Sequence, residues 1–229
     1  MSEWRRHAIY FAPAPGPLAR FGAEWLGWEP EAGAEVGPPA GLPPGLAARR
    51  AEVTGEPRRY GFHATLKAPF RLAEGTTIAA LDAAAAALAA GQAGFDLPLR
   101  VAAVGRFVAL VPAGDGGAVE DVAGLCVVGL DRFRAPLTEA ELARRRAGGL
   151  DDAGEARLAR WGYPWVLDRF RFHMTLTGAL GDDRGAMVAA LAGVLAPLLA
   201  TPVAIDAICR FSEGADGRFR LVRRFRFGR

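Results

Sequence analysis

A chain of 229 residues, 51% hydrophobic and with a formal net charge of +3, fits one large domain or two small lobes and can bury a core without disulfides or metals. Its two cysteines, Cys126 and Cys209, lack the spacing of a zinc site or a disulfide framework and are expected as core thiols in a reducing compartment. Residues 1–10 lack signal-peptide organisation, and polar residues interrupt every apolar run before the roughly 18 residues of a membrane helix. A soluble, cytoplasmic protein is therefore expected.

In chain order, the pattern predicts a strand over 6–12 and a helix over 17–27. Residues 29–46 are rich in Pro, Gly and Ala without periodicity and read as a surface loop. A buried strand is predicted over 61–70, then a helix from a Thr76 or Thr77 cap to about residue 90. Strands follow over 96–104 and 106–111, a turn at 114–117 and a helix over 119–130. Residues 138–160 are charged and helical in pattern, with a break at Gly148-Gly149. A strand over 169–177, a helix over 183–199 and strands over 203–211 and 218–227 complete the chain.

One string occurs twice: Phe62-His63-Ala64-Thr65-Leu66 and Phe172-His173-Met174-Thr175-Leu176. The chain holds only 3 histidines, and two of them occupy this slot. After each copy come a helix and two strands, a duplication that predicts an α+β fold. The expected architecture is two pseudo-symmetric lobes, each an antiparallel sheet backed by helices, with the active cleft between them. The first lobe is placed at about 1–115 and the second at 116–229.

Side chains alternate faces along a strand, so His63 and Thr65 share a face, as do His173 and Thr175. A pseudo-twofold axis would bring both pairs to one point. Two imidazoles there suit a phosphodiester: one activates water and the other protonates the leaving alkoxide. The threonine hydroxyls can donate to non-bridging phosphate oxygens. Continuing the same phase adds Lys67, the only lysine among 28 basic residues, and Arg171, as groups that neutralise phosphate. The excess of Arg, Ala, Gly and Pro reads as coding bias of a GC-rich bacterial genome. Mild basicity suits a phosphate-bearing ligand without demonstrating one.

Other features weigh less. His7 lacks a threonine partner and reads as structural. Two histidines without a carboxylate cluster make a thin metal set, no Walker-type loop is present, and Ser2 and Ser212 give little support to a serine hydrolase. In the last strand Arg218, Arg220, Arg224 and Arg226 alternate with Phe219, Leu221, Phe225 and Phe227. A solvated arginine face is the plainer reading, and a surface for an anionic ligand or RNA is the sharper one.

The two motifs resemble the paired His-x-Thr/Ser-x motifs of the 2H phosphoesterase superfamily. The stretches Arg5 to Pro13, Arg58 to Phe70, Phe133 to Leu137 and Trp161 to Gly178 are similar to the branch of that superfamily named for phosphonate metabolism. The resemblance covers nearly the whole chain. It implies a two-lobed fold with His63 and His173 catalytic, Thr65 and Thr175 assisting, and no required metal or cofactor. Members of that branch are encoded beside carbon–phosphorus lyase genes, whose pathway produces a ribose 1,2-cyclic phosphate 5-phosphate. The resemblance thus implies a small phosphorylated substrate, a cyclic phosphodiester to be opened. Residues 138–160 would form part of a lid, and Tyr60 and Tyr163 would touch substrate or else pack in the core. Two alternatives stand beside this reading: an RNA substrate bearing a 2′,3′-cyclic phosphate, and a non-catalytic protein that binds a phosphorylated metabolite. Near-symmetry leaves both orders of acid and base open.

Overall fold

Strand β1 (Arg6–Phe11) is buried at all but its first position because it lies inside a sheet, paired on both edges. The computed structural model describes residues 4–228; Met1, Ser2, Glu3 and Arg229 lie outside the described residues. The remaining strands are β2 (Ala64–Phe70), β3 (Phe95–Leu97), β4 (Leu99–Val104), β5 (Phe107–Pro112), β6 (Met174–Thr175), β7 (Val203–Ile205), β8 (Ala207–Glu213) and β9 (Phe219–Arg226). Seven of them form one antiparallel sheet in the order β4-β5-β6-β2-β1-β8-β9, and β3 pairs with β7. With its helices this is the α+β architecture expected.

The helices are α1 (Pro17–Leu26), α2 (Pro44–Val53), α3 (Ile78–Ala90), α4 (Gly117–Gly129), α5 (Glu139–Arg146), α6 (Asp152–Trp161) and α7 (Arg184–Leu195). Thr77 is the cap of α3, its side chain accepting from the Ala80 amide at 3.1 Å. Thr138 and Glu141 close a capping box on α5, and Asp151 caps α6. The charged segment thus folds as two helices, broken at Gly149, whose φ of +73° favours glycine. Residues 29–43 form a loop as expected, and helix α2 starts at its end and runs through 47–53, where no element was expected. Its prolines occupy the first turn, where they need no amide partner, so composition hides a helix of only 10 residues.

The order of elements after each motif repeats, with three strands after the helix where two were expected: β2-α3-β3-β4-β5, then β6-α7-β7-β8-β9. The lobes, however, do not divide at residue 115. Strands β4 and β5 join β6 on the second-motif side, whereas β8 and β9 join β1 and β2. Helix α3 packs on β8 and β9, and α7 on β4 and β5. Each helix therefore buries the apolar face of the other half's hairpin, so neither half of the chain has a core of its own.

The two faces of the sheet differ. Ile9, Phe11, Leu66 and Leu110 belong to the main core under the helices. Ala8, Tyr10, Cys209, Phe211 and Phe219 form a smaller cluster on the opposite face. Cys126 and Cys209 are buried, unpaired thiols, and burial pushes them up to about 12 and about 11. No helix among the described residues is long and apolar enough to cross a membrane.

Candidate active site

The motif strands meet at the middle of the sheet, where Ala64 is the antiparallel partner of Met174. Continuing that register sets His63 across from Thr175 and Thr65 across from His173. All four side chains then share one face, because partners in register point the same way. This is the face of the smaller cluster, since Tyr10 is the register partner of Thr65. The second motif is pinned from behind by α1, where the Trp25 indole donates to the Leu176 carbonyl at 2.7 Å. On the same helix Gly22 lets Phe62 approach: a Cβ there would lie 2.1 Å from the Phe62 ring.

Both imidazoles are held by the same device. His63 Nδ1 lies 2.8 Å from the Gly61 carbonyl, and His173 Nδ1 lies 2.7 Å from the Arg171 carbonyl. A carbonyl oxygen only accepts, so Nδ1 carries the proton in each ring and Nε2 is the working nitrogen. Gly61 supplies its carbonyl from a backbone with φ of +74°, a conformation suited to glycine.

The two rings differ in their surroundings. Tyr10 stacks on His63 at 3.9 Å between centroids and 24° between planes. His63 Nε2 lies 3.2 Å from Thr65 Oγ1, and Thr65 also hydrogen-bonds with the Tyr10 hydroxyl. Phe107 flanks His173 at 5.5 Å. Burial, aided by the like charge of His173, pushes the His63 pKa down to about 4. Burial also lowers that of His173, opposed by the Arg171 carbonyl. The coulombic coupling places the two imidazoles within electrostatic reach of each other.

Of the other expected site residues, Thr175 is half-buried in β6, and its hydroxyl makes no hydrogen bond among the described residues. Tyr60 lies near His63, 6.0 Å between ring centroids. Tyr163 is within electrostatic reach of Tyr60 and of Tyr10. Arg171 is exposed and turns its guanidinium onto the Asp168 and Phe170 carbonyls at 3.1 and 2.6 Å. Its contact with the site is its own carbonyl, under His173.

Lys67 is a correction. Thr65 pairs with Tyr10 but Lys67 pairs with Ile9, so one extra residue, Leu66, interrupts the alternation. This β-bulge turns Lys67 to the helix side, away from His63 and Thr65. There Nζ donates to the Val127 carbonyl at 3.0 Å and to Asp131 at 3.1 Å, in a side chain only 3% exposed. Lys67 fastens β2 to the end of α4.

The arginine face of the last strand is broken in the same way. Arg210 pairs with Arg223 and Phe211 with Leu221, which leaves Val222 extra. Beyond this bulge the phase reverses, so Phe219 packs in the smaller cluster and Phe225 in the main core. Its arginines have protein partners: Arg218 binds Glu35, Arg220 binds Asp216, Arg226 binds Asp206, and Arg224 donates to the Ala12 and Pro13 carbonyls. His7 is structural as expected, bonded to Ser212 at 2.9 Å in a buried group with Arg210 and Asp82.

Three groups of residues around the motifs escape a reading of the motifs. Tyr10 reaches His63 only through the pairing of β1 with β2, and no spacing announces it. Beside Tyr60, Glu213 is gripped by Arg6 at 2.6 and 2.9 Å and by Arg59 at 3.0 Å. Arg145 of α5 stands over the Tyr163 ring at 4.6 Å. Its helix belongs to the segment expected as a lid, which was the one available signal. Among the described residues no group of three or more His, Cys, Asp or Glu could hold a metal ion.

Four similarities relate the chain to known proteins. It is 41% identical over 222 residues to the ribose 1,5-bisphosphate phosphokinase PhnN of Janthinobacterium sp. (strain Marseille), covering 93% of this chain and 48% of that protein. It is 38% identical over 222 residues to the protein of the same name from Laribacter hongkongensis (strain HLHK9), covering 95% and 51%. The chain thus spans about half the length of these curated relatives. The crystal structure of E. coli LigT complexed with NADP+ aligns over 100% of both chains, at 17% identity and a TM-score of 0.46. The family model described as "Protein of unknown function (DUF1045)" matches residues 65–220, a span that begins just after His63 and contains His173, and the chain belongs to that family.

Proposed function

We propose that this protein is a phosphoesterase that hydrolyses a small cyclic phosphodiester by two-histidine acid–base catalysis. The observation that carries the reading is the register at Ala64 and Met174, which gathers His63, Thr65, His173 and Thr175 on one face with both Nε2 atoms available. His63 is the general base. Its low pKa keeps it neutral, and its Nε2 lone pair already accepts from the Thr65 hydroxyl. It takes a proton from water as the oxygen attacks phosphorus. One ring P–O bond breaks, and His173, protonated on Nε2, gives its proton to the departing alkoxide. The proton gained by His63 and the one lost by His173 balance once solvent exchanges them. The Thr175 hydroxyl donates to a non-bridging oxygen, and Thr65 turns from His63 to do the same.

The names of the curated relatives support a ribose phosphate as the substrate class and a setting in phosphonate metabolism. Their phosphokinase activity is not carried over to this chain. The single lysine, Lys67, follows Leu66, so the Gly-Lys of a Walker loop is missing here. An RNA substrate loses its main support, because the arginines of β9 are engaged by the protein itself.

The test is phosphorus NMR of the purified protein in EDTA with a panel of nucleoside 2′,3′-cyclic phosphates and ribose 1,2-cyclic phosphate 5-phosphate. Ring opening is expected in the wild type and should fall at least about a hundredfold in His63→Ala and in His173→Ala. A folded wild type that opens none of them overturns the reading.

A further inference from the structure

Arg145 is a cation without a counterion. Several arginines of its neighbourhood bind carboxylates: Arg146 to Glu155 at 2.9 Å, Arg157 to Asp168, Arg169 to Asp151, and Arg160 to Asp131 at 3.6 Å. Arg144, which also has no ion pair among the described residues, is exposed to water, whereas Arg145 is not. Half-buried Arg145 makes no ion pair among the described residues, and its one close partner is the face of Tyr163 at 4.6 Å. The acidic group within its electrostatic reach, Glu141, is taken, and so is the carboxylate bound to Arg6. Glu141 binds Arg71 at 3.2 Å and caps its own helix, and Glu213 is shared by Arg6 and Arg59. A desolvated charge is costly unless something pairs with it, and here two arginines on one glutamate already leave the surroundings positive.

This positive region adjoins the catalytic face. Arg145 is within electrostatic reach of Arg6, Tyr60 and Tyr163. Tyr60 lies 6.0 Å from the His63 ring and carries the Arg59 guanidinium over its own ring at 5.0 Å. The Tyr60 and Tyr163 hydroxyls are donors suited to phosphate oxygens, and a guanidinium fork suits phosphate better than any other side chain.

We propose that Arg145, with Tyr60 and Tyr163, forms a second anion subsite that binds a terminal phosphomonoester of the substrate while the cyclic diester lies at the two histidines. The inference rests on the phosphodiesterase reading and narrows it to a doubly phosphorylated substrate. Burial lowers the Arg145 pKa, as expected of a cation stripped of water and awaiting an anion.

The experiment is a calorimetric titration with ribose 5-phosphate, which has no bond for the histidines to break, and with ribose as the control. The wild type is expected to bind the phosphate ester and not ribose. Arg145→Met should weaken binding about tenfold or more, the loss of one charge-assisted contact. Arg145→Lys should keep part of the affinity, and Arg144→Met, altering the exposed neighbour, should bind as the wild type does. No binding by the wild type, or equal binding by Arg145→Met and Arg144→Met, overturns the proposal. Because binding is read without turnover, a protein that opens no cyclic phosphate but binds ribose 5-phosphate through Arg145 refutes the catalytic reading alone.

Discussion

The phenol ring of Tyr10 lies on the imidazole of His63, 3.9 Å between centroids, and its hydroxyl bonds with Thr65, which in turn faces His63 Nε2 at 3.2 Å. One buried residue therefore sets both the ring plane and the hydroxyl orientation of the first motif. An aromatic face also favours the imidazolium that forms when His63 takes a proton.

Replacing Tyr10 should separate these effects. Tyr10→Phe keeps the stack and loses the Thr65 contact, so kcat is expected to fall roughly fivefold, about 1 kcal/mol of barrier. Tyr10→Leu loses both and should fall further. Steady-state kinetics on the substrate found by NMR gives the comparison; a Tyr10→Leu enzyme as fast as the wild type would remove Tyr10 from the site.

The pH dependence follows from the two histidines. His63 must be neutral and has a pKa of about 4; His173 must be protonated, and burial puts its pKa below the ordinary 6.5. The profile of kcat/KM, which reports the free enzyme, should rise through about pH 4 and decline before neutrality. A maximum above pH 7 would contradict it. Because exchanging the two roles gives the same bell, the roles need a separate probe. With a 4-nitrophenyl phosphodiester, whose leaving group needs no proton, His173→Ala should lose much less activity than His63→Ala.

Lys67 should matter for stability and not for chemistry. Lys67→Met leaves Asp131 with Arg134 as its close partner, at 2.8 Å, and is expected to cost about 2 kcal/mol. Thermal melts should show this loss while kcat at 25 °C stays within about twofold of wild type, a margin of roughly 0.4 kcal/mol. An unchanged melting temperature with a large fall in kcat would return Lys67 to the phosphate site.

Acid should destabilise the fold through His7. Its folded pKa is about 4, set mainly by burial and then by Arg210, below the 6.5 of an exposed histidine. The unfolded chain binds the extra proton between these values, so stability is full above pH 6.5, falls as pH drops, and levels off below about 4. The contribution is roughly 3 kcal/mol at most. Urea unfolding at stepped pH should show a shallower acid decline in His7→Leu than in the wild type; parallel declines would acquit His7.

Much of this protein is legible in its residues. Period-2 and helical patterns mark most elements, Thr77 and Asp151 stand where caps belong, and the doubled His-x-Thr string singles out four side chains that share a face. These are local properties, set by alternation along a strand and by hydrogen bonding within a turn. What the tertiary structure alone decides is non-local. Bulges at Leu66 and Val222 reverse the face of Lys67 and split the arginines of β9, because register depends on the partner strand as well as the strand itself. The lobes interleave because each hairpin finds its covering helix in the other half of the chain. Tyr10 reaches His63 from 53 positions before it by strand pairing, and Arg145 meets the Tyr163 ring from 18 positions before it, contacts that no spacing in the sequence encodes.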